Sequence, residues 1–358
     1  MGISELKKRL NQNIKGMYIE VLSESDIASI NNYFDTPSYD LNRIISGSLY
    51  KGFPEKTLIC LVAPEGVFKS SLMAITAANA QKQGYTPVII DTEGAWTSDF
   101  CKRWGVDTDN MLHIYTIFVE EVTTLFGNII KNKDQNLFII LDSMGGLESN
   151  KIIKDTNEGD GVAKADQGGL ARKIKRMLKM YVSICKSQNS AGMFAGHWYG
   201  KPTSYGLSEE IGGGKYVKLA SDIIISMKKQ PIYLNPDAKA SDRVIIGSEI
   251  KAITLKNRFY PPFQEATIQI DYKNGVSPYA GLLNMALSCG VINVAGSWYT
   301  LPDGTKVQGA SKVNEYFDEH PEDILKSLED VLKTTGYSSE NKEIKEAVKL
   351  SEKDEEQK

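Results

Sequence analysis

The sequence predicts an α/β fold: a mainly parallel, twisted sheet flanked by helices, with a short N-terminal helix and strand and a small C-terminal α+β module. Short, almost continuously apolar runs recur from about residue 57, as expected of strands covered on both faces. Helical patterns separate them at about 69–83, 119–132 and 166–189, long enough for right-handed crossovers between parallel strands. Of the 358 residues, 41% are hydrophobic and 24% charged, a composition that can bury one large core.

Seven runs predict the strands of the sheet. Five of them predict buried parallel strands: TLICLVA, TPVIIDTE, LFIILDS, AGMFAGHW and DIIISMKK, which begin at residues 57, 86, 137, 191 and 222. Two later runs, RVIIGSEIKAITLKN (243–257) and EATIQIDY (265–272), predict adjoining antiparallel strands. The runs together assign residues 34–272 to a core domain.

Three further regions surround this core. Residues 1–33 contain a helical segment, ELKKRLNQNI, and a strand, MYIEVL; they are too few to bury a core, so we predict an oligomerisation segment that packs on this or another copy of the chain. Residues 273–340 predict a helical module with a hairpin signal, SWYTLPDGTKV. Residues 341–358 are rich in charge and poor in aromatic residues, which predicts a disordered tail.

Several classes of protein are excluded by composition and spacing. The longest aliphatic runs are far shorter than the roughly 20 residues that cross a bilayer, and the N-terminus has no apolar stretch of signal-peptide length, so we expect a cytoplasmic protein without a membrane partner. Four cysteines form no CxxC pair and three histidines complete no metal cluster. Because the net charge is −3, any surface for nucleic acid must be local.

The segment VAPEGVFKSS, residues 62–71, resembles a phosphate-binding loop in its position between a strand and a helix. The usual pattern is Gly, four residues, Gly, Lys and then Ser or Thr, but Ala63 and Phe68 occupy the glycine positions. Backbone N–H groups, a lysine and a hydroxyl on Mg²⁺ perform the binding. The alternative is a surface turn that ends in Lys-Ser. The predicted nucleotide contacts here are Pro64, Glu65, Gly66, Val67, Phe68, Lys69, Ser70 and Ser71, and Ser70 is also a predicted metal ligand.

Polar residues lie at the ends of three further strands. In a parallel sheet, ligands bind at this carboxyl edge of the strands. Asp142 follows the five apolar residues LFIIL and is placed to hold Mg²⁺ or its water. Asp91 and Glu93 reach the same edge, where a carboxylate can orient and polarise an attacking water. His197 either contacts the γ-phosphate or is structural. Either carboxylate alone can be a helix cap or a solvated turn, but together with the loop they favour nucleotide hydrolysis.

These residues resemble the RecA family of homologous recombinases and are most similar to its UvsX type from T-even-like bacteriophages. The resemblance runs from about residue 15 to 335 and is most specific in the core and in SPYAGLLNMALSCGVI and AGSWYT. The family's loop begins Gly-Pro-Glu or Gly-Pro-Ser, and its phage branch carries Phe before Lys-Ser, as Phe68 does here. Ala63 in place of the first glycine departs from that pattern.

The resemblance implies a RecA-like P-loop ATPase core and a role for particular residues. Glu93 matches the catalytic glutamate, and Asp142 matches the Walker-B aspartate that binds the metal. His197 matches a sensor position that is Gln in bacterial members and His in the phage branch. Phe100 falls where an aromatic ring stacks near adenine, and Lys69 is the lysine that reaches the β and γ phosphates.

Two basic residues, Lys256 and Arg258, lie in LKNRFYPPFQEATIQI. This stretch resembles the one whose basic residues reach the nucleotide of the neighbouring subunit in the family. The two residues alternate on one strand and so share a face, where they would act in trans on the γ-phosphate. The alternative is a solvated edge of the sheet.

The predicted surface for DNA centres on a basic helix. Residues 164–186 carry seven basic side chains and one acid on an amphipathic pattern, which is also typical of a solvated face. In RecA-like proteins the polar stretches at 154–169 and 198–215 hold mobile loops that contact single-stranded DNA, through glycine backbone near phosphates and aromatic rings on bases. The predicted DNA contacts are Gln167, Gly168, Gly169, Arg172, Arg176, Trp198, Tyr199, Gly212, Gly213, Gly214 and Lys215.

The resemblance implies an ATP-dependent recombination protein that uses ATP and Mg²⁺. It would form a helical filament, or rings, of its own copies on single-stranded DNA, exchange strands with a homologous duplex, and hydrolyse ATP when DNA is bound. Phage single-strand-binding and mediator proteins are implied partners. Two alternatives stay open: a helicase or translocase with the same fold, and an assembly factor that binds nucleotide as a switch without hydrolysis. An intact Glu93 argues against the switch.

Overall fold

The computed structural model describes residues 2–13, 19–132, 135–150, 167–203 and 206–335. The predicted tail at 341–358 lies outside these residues. So do the end of the C-terminal module at 336–340 and most of the first predicted DNA loop, at 154–166. Within the described residues, no helix is both long enough and apolar enough to cross a membrane.

The helices of the described chain are α1 (Ile3–Asn13), α2 (Tyr39–Ser46), α3 (Lys69–Gln81), α4 (Ser98–Arg103), α5 (Val119–Lys131), α6 (Gln167–Ser187), α7 (Tyr216–Ala220), α8 (Leu282–Ser288), α9 (Ala310–Glu319) and α10 (Pro321–Thr335). The strands are β1 (Tyr33–Phe34), β2 (Phe53–Pro54), β3 (Leu58–Val62), β4 (Thr86–Asp91), β5 (Leu112–Tyr115), β6 (Leu137–Asp142), β7 (Ala191–Gly196), β8 (Trp198–Thr203), β9 (Gly206–Ile211), β10 (Ile223–Tyr233), β11 (Ile245–Asn257), β12 (Glu265–Asp271), β13 (Gly275–Ser277), β14 (Asn293–Ala295), β15 (Trp298–Thr300) and β16 (Lys306–Gln308).

A parallel sheet forms the centre of the first of two compact units, which gathers the described residues of 1–34, 54–60 and 73–221. Its strands follow the order β3-β7-β6-β4-β5, and β4 pairs in parallel with β5 and β6, as β6 does with β7. Every residue of β6 and β7 is buried, which explains their continuous apolar runs. The predicted parallel sheet with crossover helices is therefore confirmed.

A buried tyrosine packs α6 against this sheet. The Tyr181 hydroxyl donates to the carbonyl oxygen of Ile139 at 2.6 Å and contacts that of Met193 at 3.2 Å, while its ring lies 4.8 Å from that of Phe126 on α5. Gly192 makes this approach possible, because a Cβ there would lie 2.4 Å from the Tyr181 ring. The close approach of helix and sheet thus depends on one glycine.

The N-terminal residues confirm the predicted helix and contradict the predicted strand. Helix α1 is present, but the described part of MYIEVL, residues 19–22, contains no strand, and Leu22–Glu24 forms a 3-10 turn. The reason is that strands need a paired edge, whereas the polar residues after Leu22 favour local turns. The Glu24 N–H donates to the Val21 carbonyl at 2.8 Å, and the Glu24 carboxylate binds Lys7 at 3.0 Å.

A buried ion pair anchors the segment that follows. Lys56 and Glu55 are 2% and 1% exposed, and the Lys56 ammonium donates to the carbonyls of Ser29, at 2.9 Å, and Asp26. The Glu55 carboxylate accepts from the Asn31 backbone at 2.7 Å. The chain from 26 to 32 is therefore bound to the first unit by fully buried polar groups, whose hydrogen bonds offset their desolvation.

The second unit gathers residues 35–53, 61–72 and the described residues from 222 onward. Strands β10, β11, β12 and β13 pair in sequence as an antiparallel meander, which confirms the two predicted antiparallel strands. The run DIIISMKK covers only the first seven residues of β10, which extends to Tyr233. From Lys228 onward this strand is mostly exposed, so it loses the continuous apolar pattern that predicted its start.

The C-terminal module is confirmed as a small α+β structure. Strands β14, β15 and β16 pair antiparallel, and SWYTLPDGTKV forms the predicted hairpin with Gly304 at φ +85° in its turn. Leu282, Phe317, Ile324 and Leu328 belong to a separate buried cluster that also includes Leu49. The module therefore has an apolar core of its own within the second unit.

Candidate functional site

The phosphate loop belongs to the second unit, and it follows β3 and leads into α3. Gly66 and Phe68 both have positive φ, +67° and +57°, in the left-handed region that glycine enters at no steric cost. Phe68 thus adopts a glycine-type backbone with a half-buried phenyl ring. Position 68 therefore departs from the usual motif in its side chain, which is Phe instead of Gly. Its backbone nevertheless adopts the conformation that glycine favours.

Phe68 provides a direct test of this backbone conformation. Phe68→Gly should be more stable than Phe68→Ala by about 1 kcal/mol, because only Gly escapes the left-handed penalty. The midpoint of urea unfolding measures the difference. At the exposed mid-helix residue Ser183 the same pair of substitutions should give the opposite order, and equal stability of the two variants at 68 would contradict the assigned backbone.

Lys69 is buried at the start of α3. Its ammonium donates to the carbonyl oxygens of Ala63 at 2.9 Å and Pro64 at 2.8 Å, which holds the positive charge inside the turn. A second lysine, Lys229 of β10, donates to the Gly66 carbonyl at 3.1 Å. No sequence pattern points to Lys229, since its contact with a loop 163 residues earlier depends on the tertiary fold.

The remaining residues of the loop differ in their exposure. Pro64, Glu65 and Gly66 are exposed, Val67 is buried, and the hydroxyl-bearing residues Ser70 and Ser71 are half-buried on the first turn of α3. The exposed turn leaves backbone of the loop accessible to a ligand, as the predicted anion nest requires.

The carboxylates Asp91 and Asp142 are register neighbours on β4 and β6 in the first unit. Asp91 is fully buried. Its Oδ1 accepts from the backbone N–H groups of Glu93, Gly94 and Ala95 at 3.1, 2.8 and 3.3 Å. Its Oδ2 accepts from the Trp96 backbone and contacts His113 Nε2, both at 3.1 Å. Asp91 therefore organises the turn that carries Glu93.

The hydrogen bonds of Asp91 also determine its ionisation. Burial raises the pKa of this carboxyl, but the bonds from His113 and from backbone N–H groups outweigh burial and lower the pKa below its ordinary value. Since the native pKa lies below that of an unfolded Asp, about 3.9, the ionised group stabilises the fold above roughly pH 5, and this stabilisation is lost as the pH falls through the native pKa.

Replacing Asp91 with Asn should consequently destabilise the protein at neutral pH, by about 1.5–3 kcal/mol for hydrogen bonds to a charged group. The difference from the wild type should shrink as the pH falls below about 4. Urea unfolding of both proteins across the acidic range measures it. Asp109→Asn at an exposed position is the control, and a difference that stays constant with pH would contradict this account.

Glu93 and Asp142 are held by neighbouring side chains of the first unit. The Ser143 hydroxyl donates to Glu93 Oε1 at 2.7 Å, and the Thr92 hydroxyl bonds the Ser143 backbone N–H and carbonyl at 2.8 and 2.9 Å. The Trp96 indole donates to Asp142 Oδ2 at 2.9 Å. The structure thus brings both predicted carboxylates into one hydrogen-bonded turn.

Phe100, the predicted adenine-stacking residue, adjoins this turn. It lies half-buried on α4, and its ring meets that of Trp96 edge-on, with centroids 5.3 Å apart. Sequence patterns did not predict Ser143 or Trp96 as supporting residues. Ser143 stood next to Asp142 in the apolar run, but nothing in the spacing connected it to Glu93.

His197 follows β7 and precedes a hairpin instead of an irregular loop. Its backbone carbonyl accepts from the Gly212 N–H at 3.0 Å, and its side chain is half-buried. Strands β8 and β9 pair from Trp198 with Ile211 to Thr203 with Gly206. The predicted DNA loop at 198–215 is therefore largely an antiparallel hairpin, because a short connection lets neighbouring segments pair locally. Residues 204 and 205 lie outside the described chain.

The predicted DNA contacts around this hairpin occupy different environments. Trp198 is half-buried, Tyr199 lies on β8, and Gly214 and Lys215 are exposed. Gly212 and Gly213 are half-buried, and a Cβ on Gly213 would lie 2.6 Å from Met144 Sδ. The packing against Met144 and the positive φ of +92° both favour glycine at position 213.

The predicted basic face of α6 is exposed at most of its charges. Arg172, Lys175, Arg176 and Lys179 are exposed, whereas Lys173 binds Glu120 at 2.8 Å. Residues on the opposite face pack inward, which confirms the amphipathic helix; the buried apolar ones are Ile174, Met177, Leu178, Tyr181, Ile184 and Cys185.

The start of α6 carries the other predicted DNA contacts. Gln167 is its first residue, and Gly168 is exposed with open space where a Cβ would be. Gly169 is buried, so its backbone does not face solvent in this chain.

Arg258 pairs with a buried carboxylate of the second unit, whose charge also acts on Lys256. Arg258, one residue beyond β11, pairs with Asp222 at 3.1 Å; its side chain is 54% exposed and that of Asp222 is 2% exposed. Burial and the charge of Arg258 lower the pKa of Lys256, while Asp222 acts in the opposite direction. Both cations therefore lie in the field of one acid, although Arg258 lies beyond the strand that was predicted to hold both residues.

Comparison with known proteins identifies the family. Residues 5–277 match the model of the RecA N-terminal domain, and the phosphate loop, Glu93, Asp142, His197 and the Lys256–Arg258 stretch all lie inside this match. Similar relatives include Protein RecA of Aquifex aeolicus (strain VF5), 28% identical over 291 residues and covering 81% of each chain. Protein RecA of Thermus aquaticus is 28% identical over 298 residues, with 80% of this chain and 84% of the relative covered. That of Mannheimia haemolytica is 28% identical over 312 residues, with 85% and 81% covered. The chain belongs to the RecA family.

Proposed function

We propose that the chain is an ATP-dependent DNA strand-exchange protein that hydrolyses ATP with Mg²⁺ when DNA is bound. The observation that carries the proposal is the ordered turn of the first unit, in which Ser143 holds Glu93 and Trp96 holds Asp142. A protein that used nucleotide only as a switch would need no carboxylate positioned to act on water. The turn therefore favours hydrolysis over the non-hydrolysing assembly factor.

The donor set fits the nucleotide and the metal. We assign the β and γ phosphates to Lys69 and to the backbone N–H groups of the loop, where the left-handed turn at Gly66 and Phe68 exposes the main chain. Ser70 and Asp142 would supply oxygen ligands of the kind that Mg²⁺ prefers. Bound Mg²⁺ would neutralise charge on the phosphate oxygens.

The remaining assignments concern the reacting water and the neighbouring copy. Glu93 orients and deprotonates the attacking water, while Phe100 stacks near adenine. His197 contacts the γ-phosphate and links it to the hairpin of β8 and β9. Lys256 and Arg258 contribute charge to the nucleotide site of a neighbouring copy, so that hydrolysis depends on filament assembly.

DNA binding and assembly complete the proposal. The exposed charges of α6 and the residues of the flanking stretches bind mainly the backbone of single-stranded DNA, so the pairing of bases determines which duplex is exchanged. Residues 1–33 dock on the next copy, residues 34–272 form the ATPase core, and residues 273–340 form the C-terminal module. The UvsX type, with phage single-strand-binding and mediator proteins as partners, is the branch that we propose.

ATP hydrolysis with and without single-stranded DNA tests the function. We expect single-stranded DNA to stimulate turnover several-fold, and joint molecules to form with a homologous duplex but not with a heterologous one. Unwinding of a forked duplex without joint molecules would indicate the helicase or translocase. Nucleotide binding without turnover under all conditions would indicate the switch, and either result would overturn the proposal.

The basic face of α6 can be tested separately from hydrolysis. Replacing Arg172 and Arg176 together with Ala should weaken binding to single-stranded DNA of any sequence and reduce the slope of log K against log salt, by about 0.7 for each phosphate that the variant no longer neutralises. Fluorescence anisotropy at several salt concentrations measures both. The matched control removes Lys82 and Lys102, two exposed cations of the same unit. Equal effects of the two double variants would reject α6 as the DNA surface.

A further inference from the structure

The Trp96 side chain donates a hydrogen bond to a carboxylate that lies 46 residues away in the sequence. Its side chain is 6% exposed, as is that of Asp142, and the indole Nε1–H donates to Asp142 Oδ2 at 2.9 Å. This N–H is the single hydrogen-bond donor of a tryptophan side chain, and its acceptor is a charged group, which makes the bond stronger than one between neutral partners.

The indole itself is fixed at both ends. The Trp96 backbone N–H donates to Asp91 Oδ2 at 3.1 Å, and Asp91 is buried at the end of β4, in register with Asp142 on β6. On its other side the ring packs edge-on against Phe100. Backbone, ring and N–H are thus all held, so the direction from which Asp142 receives its hydrogen bond is set by the fold.

We propose that Trp96 is a positioning residue for the divalent metal: its indole N–H donates to Oδ2 of Asp142 and so orients the carboxylate that would bind the ion or its water. This inference rests on the proposed function, because it takes Asp142 as a metal ligand. It adds a residue that shapes the ligand without touching the ion.

Two physical consequences follow from this arrangement. Groups that hydrogen-bond a metal-binding carboxylate orient it, and their loss typically weakens metal binding or activity by about 10- to 100-fold. In addition, Asp91 and Asp142 are like charges on adjacent strands, an unfavourable pair unless donors compensate them. Trp96 donates to both carboxylates, once from its backbone and once from its side chain, and therefore offsets part of their mutual repulsion.

Trp96→Phe tests the inference, since it removes the N–H donor and retains an aromatic ring beside Phe100. We would measure the Kd of Mn²⁺ by electron paramagnetic resonance, with a non-hydrolysable ATP analogue at saturation, and the Kd of the analogue without metal. Trp96→Phe should weaken Mn²⁺ binding about 10-fold and leave metal-free binding of the analogue unchanged. Trp104→Phe, the same substitution at a half-buried site nearby, should change neither.

Asp142→Asn separates failure of this inference from failure of the proposed function. If Asp142→Asn weakens Mn²⁺ binding and Trp96→Phe does not, the role of Trp96 is overturned while the metal assignment stands. If neither variant affects Mn²⁺ binding, the assignment of Asp142, and with it the inference, is wrong. Equal weakening of analogue binding with and without metal by Trp96→Phe would show a merely structural role and would also overturn the inference.

A measurement on the unmodified protein covers the case in which Trp96→Phe does not fold. The chain has four tryptophans, so selective ¹⁵N labelling gives four indole N–H signals, which Trp→Phe variants at positions 104, 198 and 298 assign by elimination. Mn²⁺ added with the ATP analogue should broaden the Trp96 signal most strongly, because its N–H touches the proposed ligand. A Trp96 signal that remains sharp at saturating Mn²⁺ would overturn the inference.

Discussion

Replacing Glu93 with Gln should lower kcat for ATP hydrolysis by about 10²- to 10⁴-fold, the usual contribution of a general base, and leave the Kd for ATP almost unchanged. The amide cannot take a proton from water. Its oxygen can still accept the hydrogen bond that the Ser143 hydroxyl donates to Glu93 Oε1, so the turn should keep its geometry. Steady-state turnover and equilibrium binding of a non-hydrolysable analogue measure the two quantities.

Asp99→Asn is the matched control for Glu93→Gln. It also exchanges an exposed carboxylate for an amide close to the same turn, and it should leave kcat within a factor of about two, as surface substitutions away from structural features usually do. Turnover retained in Glu93→Gln would remove Glu93 from the chemistry and reopen the switch as a function. A fall in ATP affinity equal to the fall in kcat would instead indicate that the turn had rearranged.

Lys69→Ala is expected to have an effect of comparable size on a different quantity. Loss of a hydrogen bond from a charged group, about 1.5–3 kcal/mol, should weaken ATP binding by about 10- to 100-fold. Turnover at saturating ATP should also fall, by at least about 100-fold, if the ammonium stabilises charge that develops on the phosphates. Isothermal titration and turnover measurements report the two effects separately.

The Lys69→Ala experiment needs two controls, because Lys69 also has a structural role in the loop. The Lys69 ammonium holds the carbonyls of Ala63 and Pro64, so Lys69→Ala also frees the start of the loop, and its thermal unfolding must be compared with that of the wild type. Lys82→Ala, at an exposed lysine just after the same helix, should bind ATP normally. Unchanged ATP affinity in a folded Lys69→Ala variant would place the triphosphate elsewhere.

The strands and helices of the core could be predicted because buried positions are apolar, and their spacing along the sequence differs between strands and helices. β6 is buried at every residue, which produces the uninterrupted run LFIIL, and the helices predicted at 119–132 and 166–189 begin and end within two residues of α5 and α6. The strand predicted in MYIEVL is absent from its described residues, 19–22, because an apolar run becomes a strand only beside a free edge, and local composition does not show whether such an edge exists.

The candidate site was only partly predictable for a related reason. Lys69, Glu93 and Asp142 were identifiable because Lys69 opens a helix, Glu93 lies two residues beyond a strand and Asp142 ends one, positions that the chain order reveals. The contact from Trp96 to Asp142 joins residues 46 positions apart, and its geometry depends on how β4 and β6 pair. The left-handed backbone at Phe68 is likewise invisible in the sequence, where an aromatic residue argues against such a conformation.

The ion pair between Arg258 and Asp222 has a consequence for any role of that arginine in another molecule. Its guanidinium already has a carboxylate partner in its own chain, so delivery to a neighbour is an exchange of partners and costs the energy of the first contact. The acid, 2% exposed, would be expensive to leave uncompensated, but Lys256 interacts with the same charge. When the two molecules separate, the Arg258 guanidinium would pair with Asp222 again. Its contact with the neighbouring molecule would therefore be reversible.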